Sequence, residues 1–116
     1  MSQHVIELTN KDGKEMTVMM GWDRPLQQFF LMVEQNQDGK EPVYLYNNMD
    51  DPDAWGMDDL NYFHEKLLEL GLDVPQKMLM QVESDKILKV GNRFVRYLPD
   101  GTVTDANSTG APSGGN

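Results

Sequence analysis

A charged, proline-containing corner, Gly21-Trp22-Asp23-Arg24-Pro25-Leu26, separates two strongly apolar runs, residues 16–22 and 26–33. Pro25 has no amide hydrogen and a fixed φ, and it biases Arg24 toward extended geometry, so one central strand cannot run straight through. The chain breaks or bulges there, and the two runs become separate elements. Before the corner, Met16, Val18, Met20 and Trp22 share one face while Thr17, Met19 and Gly21 share the other, the period of two of a half-buried strand. After it, Phe29, Leu31 and Val33 oppose Phe30 and Met32, so both faces are apolar. A helix fits that periodicity too, but the aromatic content and the turn-like Asn36-Gln37-Asp38-Gly39-Lys40 favour a strand.

Residues 5–9 read as a first strand, joined to the second through Lys11-Asp12-Gly13-Lys14 as a hairpin turn. Residues 42–46 give a fourth strand, with Val43 and Leu45 against Tyr44 and Tyr46. Short connections predict antiparallel pairing. Residues 47–57 form a polar, acidic loop punctuated by Pro52 and Gly56. Asp58 then stands as an N-cap, Asp59 complements the helix dipole, and Leu60, Phe63, Leu67 and Leu70 recur at helical spacing until Gly71. A second helix starts near Pro75 and carries Met78, Leu79 and Val82 inward. Gly91-Asn92 makes a turn, residues 94–98 a last strand, Pro99-Asp100-Gly101-Thr102 another turn, and Val103 pairs briefly. The expected fold is α+β: an antiparallel sheet of four to five strands with two helices on one face, in the order β-β-β-β-α-α-β. One domain spans residues 1–106, and residues 107–116, rich in glycine and small polar side chains, form a disordered tail.

Charge narrows the partners. Of the 116 residues, 1–76 carry 5 basic and 15 acidic side chains, a net −10, whereas 77–116 carry 5 and 4, a net +1, giving −9 in all. Unassisted binding to nucleic acid or anionic lipid is disfavoured, because polyanions are held through lysine and arginine. A protein partner with a basic surface is expected instead, and solubility is the bland reading of the same charge. Cysteine is absent, which excludes disulfides, thiolate metal sites and cysteine nucleophiles and fits a reducing compartment. No apolar run approaches the roughly 18 residues that span a bilayer, and the polar start is not that of a signal peptide, so a soluble cytoplasmic protein is expected.

No motif for chemistry survives inspection. His64-Glu65 lacks the second histidine of a zinc-protease helix, the position one turn on being Leu68; His4 lies in a terminus expected to fray. No serine sits in a Gly-x-Ser-x-Gly turn and no glycine-rich loop opens a helix. Loop 50–59 has the oxygen density of a calcium site and, counted from Asp51, places Asp53, Gly56 and Asp59 in register, but Trp55 replaces a ligand and Tyr62 stands where a bidentate glutamate belongs. A solvated acidic loop is the simpler reading, with no metal and no cofactor expected. Nine methionines offer flexible, polarizable side chains for an adaptable surface, with Met19 and Met80 off the core stripes. Asp23 and Arg24 either pair to fix the corner or leave Arg24 as a recognition group.

At Gly21-Trp22-Asp23-Arg24-Pro25-Leu26-Gln27 followed by Phe29-Phe30, and more loosely at Leu70-Gly71, Val74-Pro75 and Gly91-Asn92, the chain resembles a group of small bacterial proteins that share a tryptophan-aspartate-arginine-proline corner. The resemblance implies a shared fold and a bacterial cytoplasmic setting, and it transfers no catalytic residue. The functional expectation is a non-enzymatic protein-binding or accessory protein, monomer or homodimer, acting through Trp22, Asp23 and Arg24 of the corner and Asp50, Asp51, Asp53 and Trp55 of the loop. Two alternatives stand beside it: an acidic mimic of nucleic acid that occupies a DNA- or RNA-binding enzyme, and a small hydrolase with an Asp/His site.

Overall fold

The computed structural model describes residues 1–108. Six strands form one mixed sheet: β1 (Ser2–Thr9), β2 (Glu15–Asp23), β3 (Gln28–Gln37), β4 (Lys40–Asn47), β5 (Arg93–Tyr97) and β6 (Val103–Ser108). Two single-turn 3₁₀ helices, Asn48–Asp50 and Pro52–Ala54, lead from β4 into α1 (Leu60–Glu69), which is followed by α2 (Gln76–Ile87). The spatial order is β4-β3-β2-β1-β5-β6, antiparallel throughout except between β1 and β5, which run parallel.

The α+β class and the two helices agree with the sequence, while the sheet corrects it twice. First, β5 joins the sheet beside β1 in parallel: three antiparallel steps leave β4 running opposite to β1, and the chain then crosses one face through both helices, past β3 and β2, and re-enters opposite to β4 and so along β1. Second, Val103 begins a full sixth strand, antiparallel to β5 and paired as far as Ser108. The last two positions of that strand begin the segment read from sequence as a tail; the remainder, 109–116, lies outside the described residues.

The alternation in β2 places Met16, Val18, Met20 and Trp22 under the helices, where they meet Phe29, Leu31 and Val33 of β3 and Ile6 and Leu8 of β1. Leu60, Phe63 and Leu67 of α1 and Met78 and Val82 of α2 close the same core from above. Burying each such side chain contributes roughly 1.5–3 kcal/mol. The opposite face carries Val5, Phe30, Met19 and Met32, all buried or half-buried with no helix over them. Here the side chains cover one another: Phe30 lies opposite Gly21, where the Ser2 backbone and the edge of the Phe30 ring leave no room for a side chain. Met19 is thus half-shielded rather than displayed.

The proline corner turns as its chemistry demands. β2 stops at Asp23 and β3 starts at Gln28. Between them the Gln27 amide donates to the Arg24 carbonyl at 3.3 Å and the Leu26 amide to Asp23 Oδ1 at 3.3 Å. Gln27 sits at φ 54°, and its side-chain amide donates to the Arg24 carbonyl at 2.6 Å, a second hold on a backbone that few residues adopt.

Candidate functional site

Three segments far apart in sequence meet at one end of the molecule. The Phe29 amide donates to the Met57 carbonyl at 2.8 Å, and the Gly56 amide donates to Gln28 Oε1 at 2.8 Å, which ties loop 50–59 to the start of β3 beside the corner. Lys86 Nζ, near the end of α2, donates to the Asp58 carbonyl at 2.8 Å and lies 5.7 Å from the centre of the Phe29 ring. The Arg24 guanidinium reaches the Lys89 carbonyl at 3.5 Å. The corner, the acidic loop and the end of α2 are therefore locked together. They leave Leu26, Trp55, Ile87 and Leu88 between 53% and 70% exposed.

Each residue singled out from sequence has a place in this arrangement. Trp22 belongs to the core, 3% exposed and edge-on to Phe29 with ring centres 5.1 Å apart; it supports the corner from below and offers no surface. Among the described residues its indole Nε1 has no hydrogen-bond partner. Asp23 and Arg24 do not pair with each other: Asp23 caps the turn through Leu26, and the exposed Arg24 bridges to the α2–β5 connection. Asp50 and Asp53 are exposed, as is Trp55.

Asp51 is committed within the loop. Its Oδ2 accepts from the hydroxyls of Tyr46 at 2.6 Å and Tyr62 at 2.7 Å, while Oδ1 accepts from the Asp53 amide at 3.1 Å. Those hydroxyl donors hold the Asp51 carboxyl below the usual carboxylate range. The same bonds act oppositely on the phenols. Tyr46 is pushed well above its ordinary value, by burial first and then by the bond to Asp51, and Tyr62 is pushed up to about 12, by that bond first and then by burial. Asp59 Oδ1 caps α1 by accepting from Asn61, so the cap lies one residue beyond Asp58. With Asp51 and Asp59 turned to internal amides and hydroxyls, the calcium register does not close, and among the described residues no three His, Asp or Glu side chains converge as a metal centre would need.

A groove of about 500 Å³ opens beside this end, between α1 and α2. Its apolar lining is Leu60, Val74, Leu79 and Met80. His64, Asp73 and Glu83 also face it, and among the described residues no lysine or arginine does. Among the described residues the His64 ring makes no side-chain hydrogen bond and has no carboxylate within ion-pair distance, so it lacks the oriented partner that a general base needs.

The ionisable cluster that does form is one the sequence reading passed over. His4, expected in a fraying terminus, is fully buried in β1 beneath α2. Its Nε2 lies 2.6 Å from Asp85 Oδ2 and its Nδ1 2.8 Å from the Tyr97 hydroxyl, with the His4 and Tyr97 rings stacked at 5.7 Å. A carboxylate only accepts, so Nε2 carries the proton. Arg93 completes the cluster, donating to Asp85 Oδ1 at 2.5 Å and to Gln81 Oε1 at 2.8 Å. Burial pushes the Asp85 carboxyl up, but the hydrogen bonds from His4 and Ser2 and the pull of His4 and Arg93 outweigh it and hold the carboxyl below its ordinary value. Tyr97 is pushed up to about 12, chiefly by burial. Ser2, His4 and Asp85 are fully buried, and this cluster fastens α2 to the β1/β5 seam. Two signals pointed to it: Ser2 and His4 alternate in step with Ile6 and Leu8, and Asp85 lies at helical spacing from Met78 and Val82 on the inward stripe of α2.

No family model, no curated protein and no solved structure matches this chain. Among the described residues no helix is long and apolar enough to cross a membrane.

Proposed function

We propose that this chain is a non-enzymatic, cytoplasmic protein-binding or accessory protein, and that its binding surface is the end where the corner, loop 50–59 and the close of α2 meet. One observation carries the reading: four large apolar side chains, Leu26, Trp55, Ile87 and Leu88, stand exposed on segments fastened to one another by hydrogen bonds. Tryptophan dominates the energetics of many protein interfaces, and a surface already held in shape loses little entropy on binding. The same segments carry Asp23, Asp50, Asp53 and Asp58 together with Arg24, Lys86 and Lys89, an excess of carboxylates that suits a partner whose own surface is basic. A mimic of nucleic acid would present the carboxylates without such an apolar centre, and the buried cluster around Asp85 gives a hydrolase nothing to work with, so the protein-binding reading is preferred over both.

The test is affinity capture from a bacterial lysate at low salt with the full chain as bait, beside a Trp55→Ala/Leu88→Asp double variant. Both positions are exposed, so the variant keeps its fold by circular dichroism. Proteins retained by the parent chain and lost by the variant support the proposal. Identical eluates from the two baits, or none from either, sink it.

A further inference from the structure

The outward face of α2 joins the groove to the exposed apolar end. Gln76, Met80, Glu83 and Ile87 follow one another at spacings of four, three and four residues, which sets them on a single stripe opposite the buried Met78, Val82 and Asp85. The first three line the groove and Ile87 continues beyond it, so the stripe extends along about 16 Å of helix axis. Met80 is 62% exposed although Leu60, Val74 and Leu79 floor the groove beside it. Among the described residues the ionisable groups in the lining are His64, Asp73 and Glu83. Lysines nearby face elsewhere: Lys86 is turned to the Asp58 carbonyl, and the Lys77 Cβ approaches Gly101 in the β5–β6 turn.

Resting on the protein-binding reading above, we infer that the α1–α2 groove takes an amphipathic helix of the partner protein, its apolar face on Leu79 and Met80 and a lysine or arginine over Asp73 and Glu83. Charge complementarity selects this occupant. The groove is acidic with an apolar floor, so it suits a segment that is apolar and cationic at once, and it repels a second copy of a chain whose own net charge is −9. A helix laid in a groove is read through anchors at three- and four-residue spacing, the spacing that the stripe itself presents. Methionine at the rim suits this, because its unbranched side chain adapts to the knob it receives.

Fluorescence anisotropy with a labelled leucine–lysine peptide of about 18 residues, patterned as an amphipathic helix, tests the assignment against its leucine–glutamate counterpart. The cationic peptide should bind and the acidic one should not. Met80→Asp provides the deciding sign: it adds negative charge, so attraction by charge alone would tighten, whereas loss of the apolar anchor should weaken binding about tenfold. Glu83→Gln should weaken it more than Glu41→Gln, which removes the same charge on exposed β4. Tighter binding by Met80→Asp, or equal effects from the two glutamates, overturns the inference. So does a concentration-dependent dimer that Met80→Asp dissolves, because the occupant is then a second copy. A lysate partner that needs Trp55 and Leu88 but is indifferent to Met80→Asp also overturns it, while leaving the protein-binding reading intact.

Discussion

Gly21 shows how closely single residues are specified. It stands opposite Phe30 in β2, and a Cβ built on it would lie 2.0 Å from the Ser2 carbonyl oxygen and 3.0 Å from the Phe30 ring. The first contact is with backbone, which cannot swing aside as a side chain can. It also lies where β1 enters the sheet: the Ser2 hydroxyl accepts from the Trp22 amide at 3.0 Å, and His4 follows two residues later. Gly21→Ala must therefore push β1 away from β2 at the strand that carries the buried cluster. It should cost roughly 1–3 kcal/mol, the range for forcing an extra carbon into a packed site. Gly13→Ala is the control, at φ 79° with open space around it, so its cost is the backbone strain alone. Urea unfolding of both variants gives the comparison, and a Gly21→Ala protein as stable as the parent would refute the close approach.

Among the elements, α1 is short enough for its cap to matter, and the structure moves that cap from Asp58 to Asp59. Asp59→Ala removes the acceptor for the Asn61 amide and should cost about 0.5–2 kcal/mol. Asp58→Ala, whose exposed side chain caps nothing, should stay within about 0.5 kcal/mol. Thermal melting of the pair distinguishes the two assignments, and equal losses would mean that neither carboxylate caps. The one-residue slip has a plain cause: two adjacent aspartates offer the same chemistry, and only the backbone decides which one turns into the helix. β2 was legible because it alternates, and β1, β3 and β4 because turn residues bound them and, in β3, because aromatic content favours a strand. α2 was legible from Pro75 and the inward Met78 and Val82. β6 was not, because Thr104, Asp105 and Asn107 lack the apolar alternation that marks a half-buried strand; it is an edge held by backbone pairing to β5. The parallel seam was hidden for a different reason, since pairing across the two helices is a property of the crossover and not of either strand's composition. The corner was readable as a turn, but its meeting with loop 50–59 depends on Gln28, whose role as acceptor for Gly56 no local pattern announces.

Across the whole molecule, the parallel seam is where the first strand and the last third of the chain must find each other, and the ion cluster at that seam makes the fold's stability depend on acid. Asp85 is fully buried and its two oxygens accept separately from His4 and Arg93, so an amide in its place keeps one acceptor and turns an N–H toward the other donor. Loss of one partner from such a group costs roughly 3–5 kcal/mol, and Asp85→Asn should approach that range near neutral pH. The direction with pH follows from the depressed carboxyl. The unfolded chain binds this proton at a higher pH than the folded one, so the contribution is complete above the ordinary aspartate value and fades as pH falls through the folded value. In Asp85→Asn that contribution is already gone at every pH. The gap between parent and variant should thus be widest near about pH 7 and narrow below about pH 4, as the parent's own carboxyl takes its proton. Asp51 and Asp100 also lie below their ordinary values and soften both proteins in acid, but they do so equally and cancel in the difference. Urea unfolding followed by tryptophan fluorescence across this range measures the gap directly. A gap that stays constant with pH would show that Asp85 acts through its shape and not its charge, and that α2 is held to the β1/β5 seam by packing alone.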